Sequence, residues 1–310
     1  MAAILEVVLP VFALILAGYG TARMGLIKPE GFAGLATFVF CLAAPALLFL
    51  GGVRPSEGGP GPAIAQVGAA VVMYGVAILV ARRWFAAGPA EAAVFGLSCI
   101  FGNSVMMGIP IIIAAYGAAG VPPMIGILAI QTITLLGLAT ILTEAGLQAH
   151  APWRLLIRNA AVGILRNPIV LSVVAALIWR GFGLPIPDVA RRTLELLGAA
   201  APPAALFCLG GGLLGLGAAG LWRETAVVSV IKLLILPALT FVLAKLLGLS
   251  PVETAVAVTI GALPTGANAF ILARRYQTGA DRSGAAVVVT TALSVLTLSL
   301  LIGYFRETIE

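Results

Sequence analysis

A chain of 310 residues that is 61% hydrophobic and only 10% charged is far from a soluble domain, in which about 25% of residues carry charge. Its composition is that of an all-α polytopic membrane protein. The formal net charge of +6 does not point to nucleic acid, because the basic residues stand singly between apolar runs, as membrane orientation requires.

A membrane-crossing helix needs about 20 apolar residues. The sequence supplies ten such runs, at roughly 5–23, 33–53, 64–82, 92–116, 122–144, 162–180, 192–216, 225–247, 252–273 and 284–304. Nothing ahead of the first resembles a cleavable signal, so it is expected to stay as a helix. The connections are short, and the longest, at 146–161, falls midway. It divides the chain into a first five-helix unit (1–145), a cytoplasmic linker (146–161) and a second five-helix unit (162–310). Lys and Arg crowd onto alternate connections, among them Arg23, Lys28, Arg82, Arg83, Arg154, Arg158, Arg274 and Arg275. The positive-inside bias puts that side in the cytoplasm of a cell (inner) membrane protein and both termini outside.

The two halves repeat. Pro45-Ala46-Leu47-Leu48-Phe49 in the second run matches Pro203-Ala204-Ala205-Leu206-Phe207 in the seventh, and Glu91 opening the fourth matches Glu253 opening the ninth at nearly the same offset. A duplicated five-helix unit enters the membrane from the opposite side, because five is odd. The expectation is an inverted repeat.

The fourth and ninth runs are interrupted at matching places, by Gly102-Asn103-Ser104-Val105-Met106-Met107-Gly108-Ile109-Pro110 and by Pro264-Thr265-Gly266-Ala267-Asn268. Proline lacks an N–H and clashes with the preceding turn. Both helices are therefore expected to open and restart, with Pro110 in the first turn of a half-helix. A restarted helix turns unsatisfied N–H groups and its positive dipole end toward the membrane interior, which attracts an anion without a buried arginine. Asn103 and Asn268 either cap these ends or hold a carboxylate, and Ser104 and Thr265 add hydroxyls. The blander reading is that Gly108, Pro110, Pro264 and Gly266 only kink helices.

Lys232 lies deep inside the eighth run. It either snorkels to the interface or faces the negative C-terminal ends of the half-helices, replacing a bound sodium ion or titrating. Glu91, Glu144 and Glu253 sit near run ends and read as interfacial. Gln131, Thr132, Thr290, Thr291 and Ser294 form small polar patches, for which hydroxyls bonded back to their own helix are the simplest account. Cys41, Cys99 and Cys208 are spaced unlike metal ligands and read as small buried hydrophobes. No catalytic residue, metal site or cofactor is expected.

Asn103-Ser104-Val105-Met106-Met107-Gly108-Ile109-Pro110-Ile111 resembles the N-T-x-x-x-G-I-P-L stretch of the auxin efflux carrier family. Ala262-Leu263-Pro264-Thr265-Gly266, with Phe270, Ala273 and Tyr276, resembles its A-L-P-x-G-x-x-x-F-x-x-A-x-x-Y. Arg166-Asn167-Pro168 and Phe207-Cys208-Leu209-Gly210 fit its R-N-P and F-x-L-G. The short middle connection is similar to that of compact prokaryotic members. The resemblance implies the fold of bile-acid symporters and sodium/proton antiporters: two inverted five-helix repeats, with broken helices four and nine crossing near Pro110 and Pro264. Helices 1, 2, 6 and 7 would form a scaffold and homodimer surface, and helices 3–5 and 8–10 a moving transport domain. Asn103 would contact the substrate carboxylate. Gln131-Thr132 and Thr265 stand where antiporters carry acidic ion ligands, so coupling to a proton, coupling to sodium and uniport all stay open.

These features describe a secondary transporter moving a small organic anion, a carboxylate, by an elevator-type motion. A cation antiporter and a non-transporting ligand sensor are the rivals. No paired acids or histidines in the runs support an intramembrane enzyme.

Overall fold

In a computed structural model, the residues described are 2–53, 59–147, 153–214 and 221–309, and every regular element among them is helical. Six stretches are long and apolar enough to cross a membrane: Pro29–Val53, Gly61–Trp84, Ser104–Leu147, Asp188–Gly212, Trp222–Leu246 and Ala280–Ile309. Four shorter apolar helices accompany them: Leu9–Arg23, Pro89–Ile100, Pro168–Gly181 and Pro251–Ala262. The protein is an all-helical, polytopic membrane protein.

In chain order the helices are α1 (Ala2–Arg23), α2 (Pro29–Val53), α3 (Gly61–Trp84), α4 (Pro89–Ile100), α5 (104–116), α6 (121–147), α7 (Trp153–Leu165), α8 (Pro168–Gly181), α9 (Asp188–Gly212), α10 (Trp222–Leu246), α11 (Pro251–Ala262), α12 (Ala267–Arg275) and α13 (Ala280–Ile309). Proline in the first turn starts α2, α3, α4, α8 and α11, where its missing N–H costs nothing. Asn167 caps α8 by accepting from the N–H of Ile169 at 2.9 Å. Ser250 and Glu253 form a reciprocal capping box on α11, as their spacing requires.

Four π turns interrupt the helices, at Val39–Ala43, Ser104–Gly108, Thr132–Leu136 and Ile231–Ile235. Three of them run directly into an X-Pro step: Ala44-Pro45, Ile109-Pro110 and Leu236-Pro237. A proline cannot donate to the carbonyl four residues back, and widening the preceding turn is one way for a helix to absorb that loss. At Pro110 the helix therefore bulges rather than ends.

The middle connection contains a helix, α7. It occupies part of the stretch assigned to a linker and part of the sixth run, which divides at Arg166-Asn167 because Asn167 caps a new helix. Small residues allow close packing elsewhere. On α9, a Cβ at Gly210 would lie 1.8 Å from the carbonyl oxygen of Ile15 on α1, so only glycine lets these two backbones touch. One core joins α1, α2, α5, α6, α8 and α9 with α11; a second joins α3, α4, α6 and α10 with α12 and α13. At one end, Arg282 on α13 reaches Glu91 on α4 at 2.9 Å and Glu224 on α10 at 3.8 Å.

Candidate functional site: where two broken helices meet

Helix α4 stops at Ile100 and α11 at Ala262; the residues after each are extended. The two extended strips, Phe101–Asn103 and Leu263–Gly266, lie antiparallel and pair at Gly102 and Thr265. The Asn103 N–H donates to the Pro264 carbonyl and the Gly266 N–H to the Phe101 carbonyl, both at 2.8 Å. Each break thus satisfies backbone groups of the other, which non-helical backbone inside an apolar protein must do. Glycine is required at the contact: a Cβ on Gly266 would lie 2.8 Å from the Gly102 oxygen.

The carbonyl ends of both interrupted helices are closed by side chains. The Thr265 hydroxyl donates to the Ser98 carbonyl of α4 at 2.8 Å, while its own N–H donates to the Thr290 hydroxyl of α13 at 3.0 Å. The Lys232 ammonium, 0% exposed, donates to the Gly261 carbonyl of α11. It does not snorkel; it stands within 3.4 Å of where a Cβ on Gly102 would be. An ammonium at a helix C-terminus is electrostatically favourable.

The opposite ends, the N-termini of α5 and α12, are open to a cavity. A space of about 50 Å³ is lined by Asn103, Ser104, Gln131, Asn167, Gly266 and Asn268, with several apolar neighbours. A second cavity, of about 510 Å³, meets Asn103, Met106, Ala267 and Ile271 on one side and Phe32 and Leu209 on the other. Its wall also includes Ala22, near the end of α1, and Pro29, at the start of α2, so it opens at that end of the molecule. Asn103 lines both spaces. It is 5% exposed, does not cap α5, and its amide nitrogen has no hydrogen-bond partner. A buried amide donor left over is costly unless something else accepts from it.

Of the eight residues singled out around the breaks, Asn103, Ser104, Gly266 and Asn268 meet at the small cavity. Pro264 and Thr265 are buried and hold the crossing together. Gly108 packs against Leu263. The restart expected at Pro110 lies at Ser104 instead, because the π turn accommodates the proline. The crossing accordingly forms at Gly102 rather than at Pro110. Gln131 is expected among minor polar patches. Its hydroxyl neighbour Thr132 does bond back to the Leu128 carbonyl at 2.7 Å. Gln131 itself is 1% exposed, with an unpartnered side-chain oxygen, and faces the small cavity. The signal available was chemical: an amide cannot be absorbed by its own helix as a hydroxyl can.

A family model described as "Membrane transport protein" matches residues 3–302. The chain is 30% identical over 325 residues to a protein of Rhizobium meliloti (strain 1021) named "Putative malonate transporter", covering 99% of this chain and 97% of that one.

Proposed function

Because the chain belongs to the auxin efflux carrier family of membrane transport proteins, we propose that it carries a small carboxylate, of the size and charge of malonate, across the membrane by alternating access. The observation that carries this reading is the Asn103 amide nitrogen, buried without a partner between two helix N-termini at the floor of a cavity. An amide donor and two positive dipole ends converging on one space form an anion site that needs no arginine. The relative named for malonate supports a short carboxylate as the anion.

Ser104, Gly266 and Asn268 complete the substrate site in this reading, and Gln131 joins them. Lys232 supplies nearby positive charge behind the crossing. Six long and four shorter apolar helices support ten crossings arranged as two inverted repeats, with the linker and α7 between them. The end at which the 510 Å³ cavity opens carries Arg23 and Lys28, so it faces the cytoplasm and the site is in its inward-facing state. Helices α3–α6 and α10–α13 move as the transport domain of an elevator against the scaffold of α1, α2, α8 and α9, whose outer surface forms a homodimer.

The test is uptake of radiolabelled malonate into proteoliposomes. Wild-type protein accumulates it, and Asn103→Ala abolishes uptake while eluting as the same folded species. Near-normal uptake by the variant would remove Asn103 from the mechanism.

A further inference from the structure

A cavity of about 250 Å³ lies at the opposite end of the molecule, between α2 and α8 on one side and α3 and α6 on the other. Glycine, proline and aliphatic residues make up nearly all of its wall. The charged residue among the described lining residues is Arg180, in the last turn of α8.

This cavity and the 510 Å³ one correspond through the internal repeat. The offset that carries Pro45 onto Pro203 carries Ala22, in the wall of the large cavity, onto Arg180. It also carries Gly51, in the wall of the smaller one, onto Leu209 in the large one. The offset that carries Glu91 onto Glu253 takes Ile125 of the smaller cavity onto Val287 of the large one. Three pairs of equivalent positions thus line cavities at opposite ends, and in one pair an alanine corresponds to an arginine.

We propose that the 250 Å³ cavity is the capture site for the anion on the far side of the membrane, with Arg180 as its carboxylate-binding residue. The proposal rests on the transport reading above. The backbone at the rim is fixed: the Gly183 N–H donates to the Arg180 carbonyl at 3.0 Å, and the neighbouring Trp179 donates its indole N–H to the Leu184 carbonyl at 2.8 Å and packs against the ring of Phe49 at 6.1 Å. The Arg180 side chain is exposed. Among the described residues Arg180 makes no ion pair. A basic residue in a last turn also complements the helix dipole, but that role needs no cavity. Apolar walls around a single cation focus its field on the space they enclose and raise the local concentration of anions.

Two measurements test this. In a Cys41→Ala background, which removes the exposed native thiol, Ala129→Cys places a thiol in the cavity wall. Negatively and positively charged methanethiosulfonates then report the local potential without any need for transport. The negative-to-positive rate ratio should fall by about tenfold with Arg180→Gln, and Arg180→Lys should restore most of it. In proteoliposomes, Arg180→Gln should raise the half-saturating malonate concentration several-fold from the Arg180 side alone, with the maximal rate kept. An unchanged reagent ratio overturns the proposal. Equal loss of malonate affinity from both sides also overturns it, since Arg180 would then act through the central site. A ratio that shifts in a protein carrying no malonate sinks the malonate reading and leaves the anion site standing.

Discussion

At the scale of single residues, two buried polar groups behave in opposite ways. Lys232 has found a partner, the Gly261 carbonyl, and Asn103 has kept a donor unused. Magnitudes separate their effects on stability from their effects on transport. A hydrogen bond from a charged group is worth about 1.5–3 kcal/mol, whereas burying an ammonium at the centre of a membrane helix costs about 2.5–3.5 kcal/mol. Lys232→Met removes the burial cost but leaves the Gly261 carbonyl unsatisfied, at about 1–3 kcal/mol. The two offset, so thermal stability should stay within about 2 kcal/mol of wild type while malonate uptake slows on the order of tenfold. Paired melting and flux measurements check it; unaltered flux would confine Lys232 to packing. Gln131 makes a second residue-level case. Its unpartnered oxygen is an acceptor aimed at the same space. Gln131→Leu should relieve the buried polar group and stabilise the fold slightly while weakening malonate binding, an opposition that a thermal-shift titration detects.

At the scale of elements, the crossing is a piece of antiparallel pairing placed between four helix ends. Its bonds are few, so single losses tell. Thr265→Val removes the donor to the Ser98 carbonyl and leaves that oxygen unsatisfied in a dry interior, a cost of about 1–3 kcal/mol. Gly266→Ala forces a methyl to within 2.8 Å of the Gly102 oxygen and should cost at least as much, because neither strip can retreat without breaking the other. Loss of the folded peak on size exclusion, or a lowered melting temperature, measures both. Ser250→Ala, which undoes a cap on the same α11 helix far from the crossing, should cost about 1 kcal/mol and leave malonate affinity unchanged. The Arg282 pairs with Glu91 and Glu224 are partly exposed and contribute little by comparison.

At the scale of the whole molecule, the two cavities lie at opposite ends and the larger reaches Asn103, which is the arrangement the proposed alternating access draws on. A thiol introduced at Ala36, in the wall of the large cavity, should react with a membrane-impermeant reagent from the cytoplasmic side alone, and saturating malonate should slow it several-fold. Labelling from the opposite side would reverse the assigned orientation.

The linear chain carried a good deal of this. Apolar run length announced a polytopic helical protein, because a bilayer sets the length of whatever spans it. The placement of glycine, proline and asparagine in the fourth and ninth runs marked where backbone would be freed, because those residue types act locally. What a local signal does not contain is where freed groups find partners. Pro110 is the most conspicuous breaker in its run, yet a π turn absorbs it, and the helix ends earlier, at Ile100, where the following strip pairs at Gly102 with one from Leu263–Gly266. The same holds for Lys232, Thr265 and Gln131. Chemistry named them as polar residues in apolar runs, and only packing across distant segments decided that the first two close helix ends while the third looks into a cavity. Hydrophobic periodicity and chain breakers are properties of neighbours in sequence; hydrogen-bond satisfaction in a dry interior is settled between segments far apart along the chain.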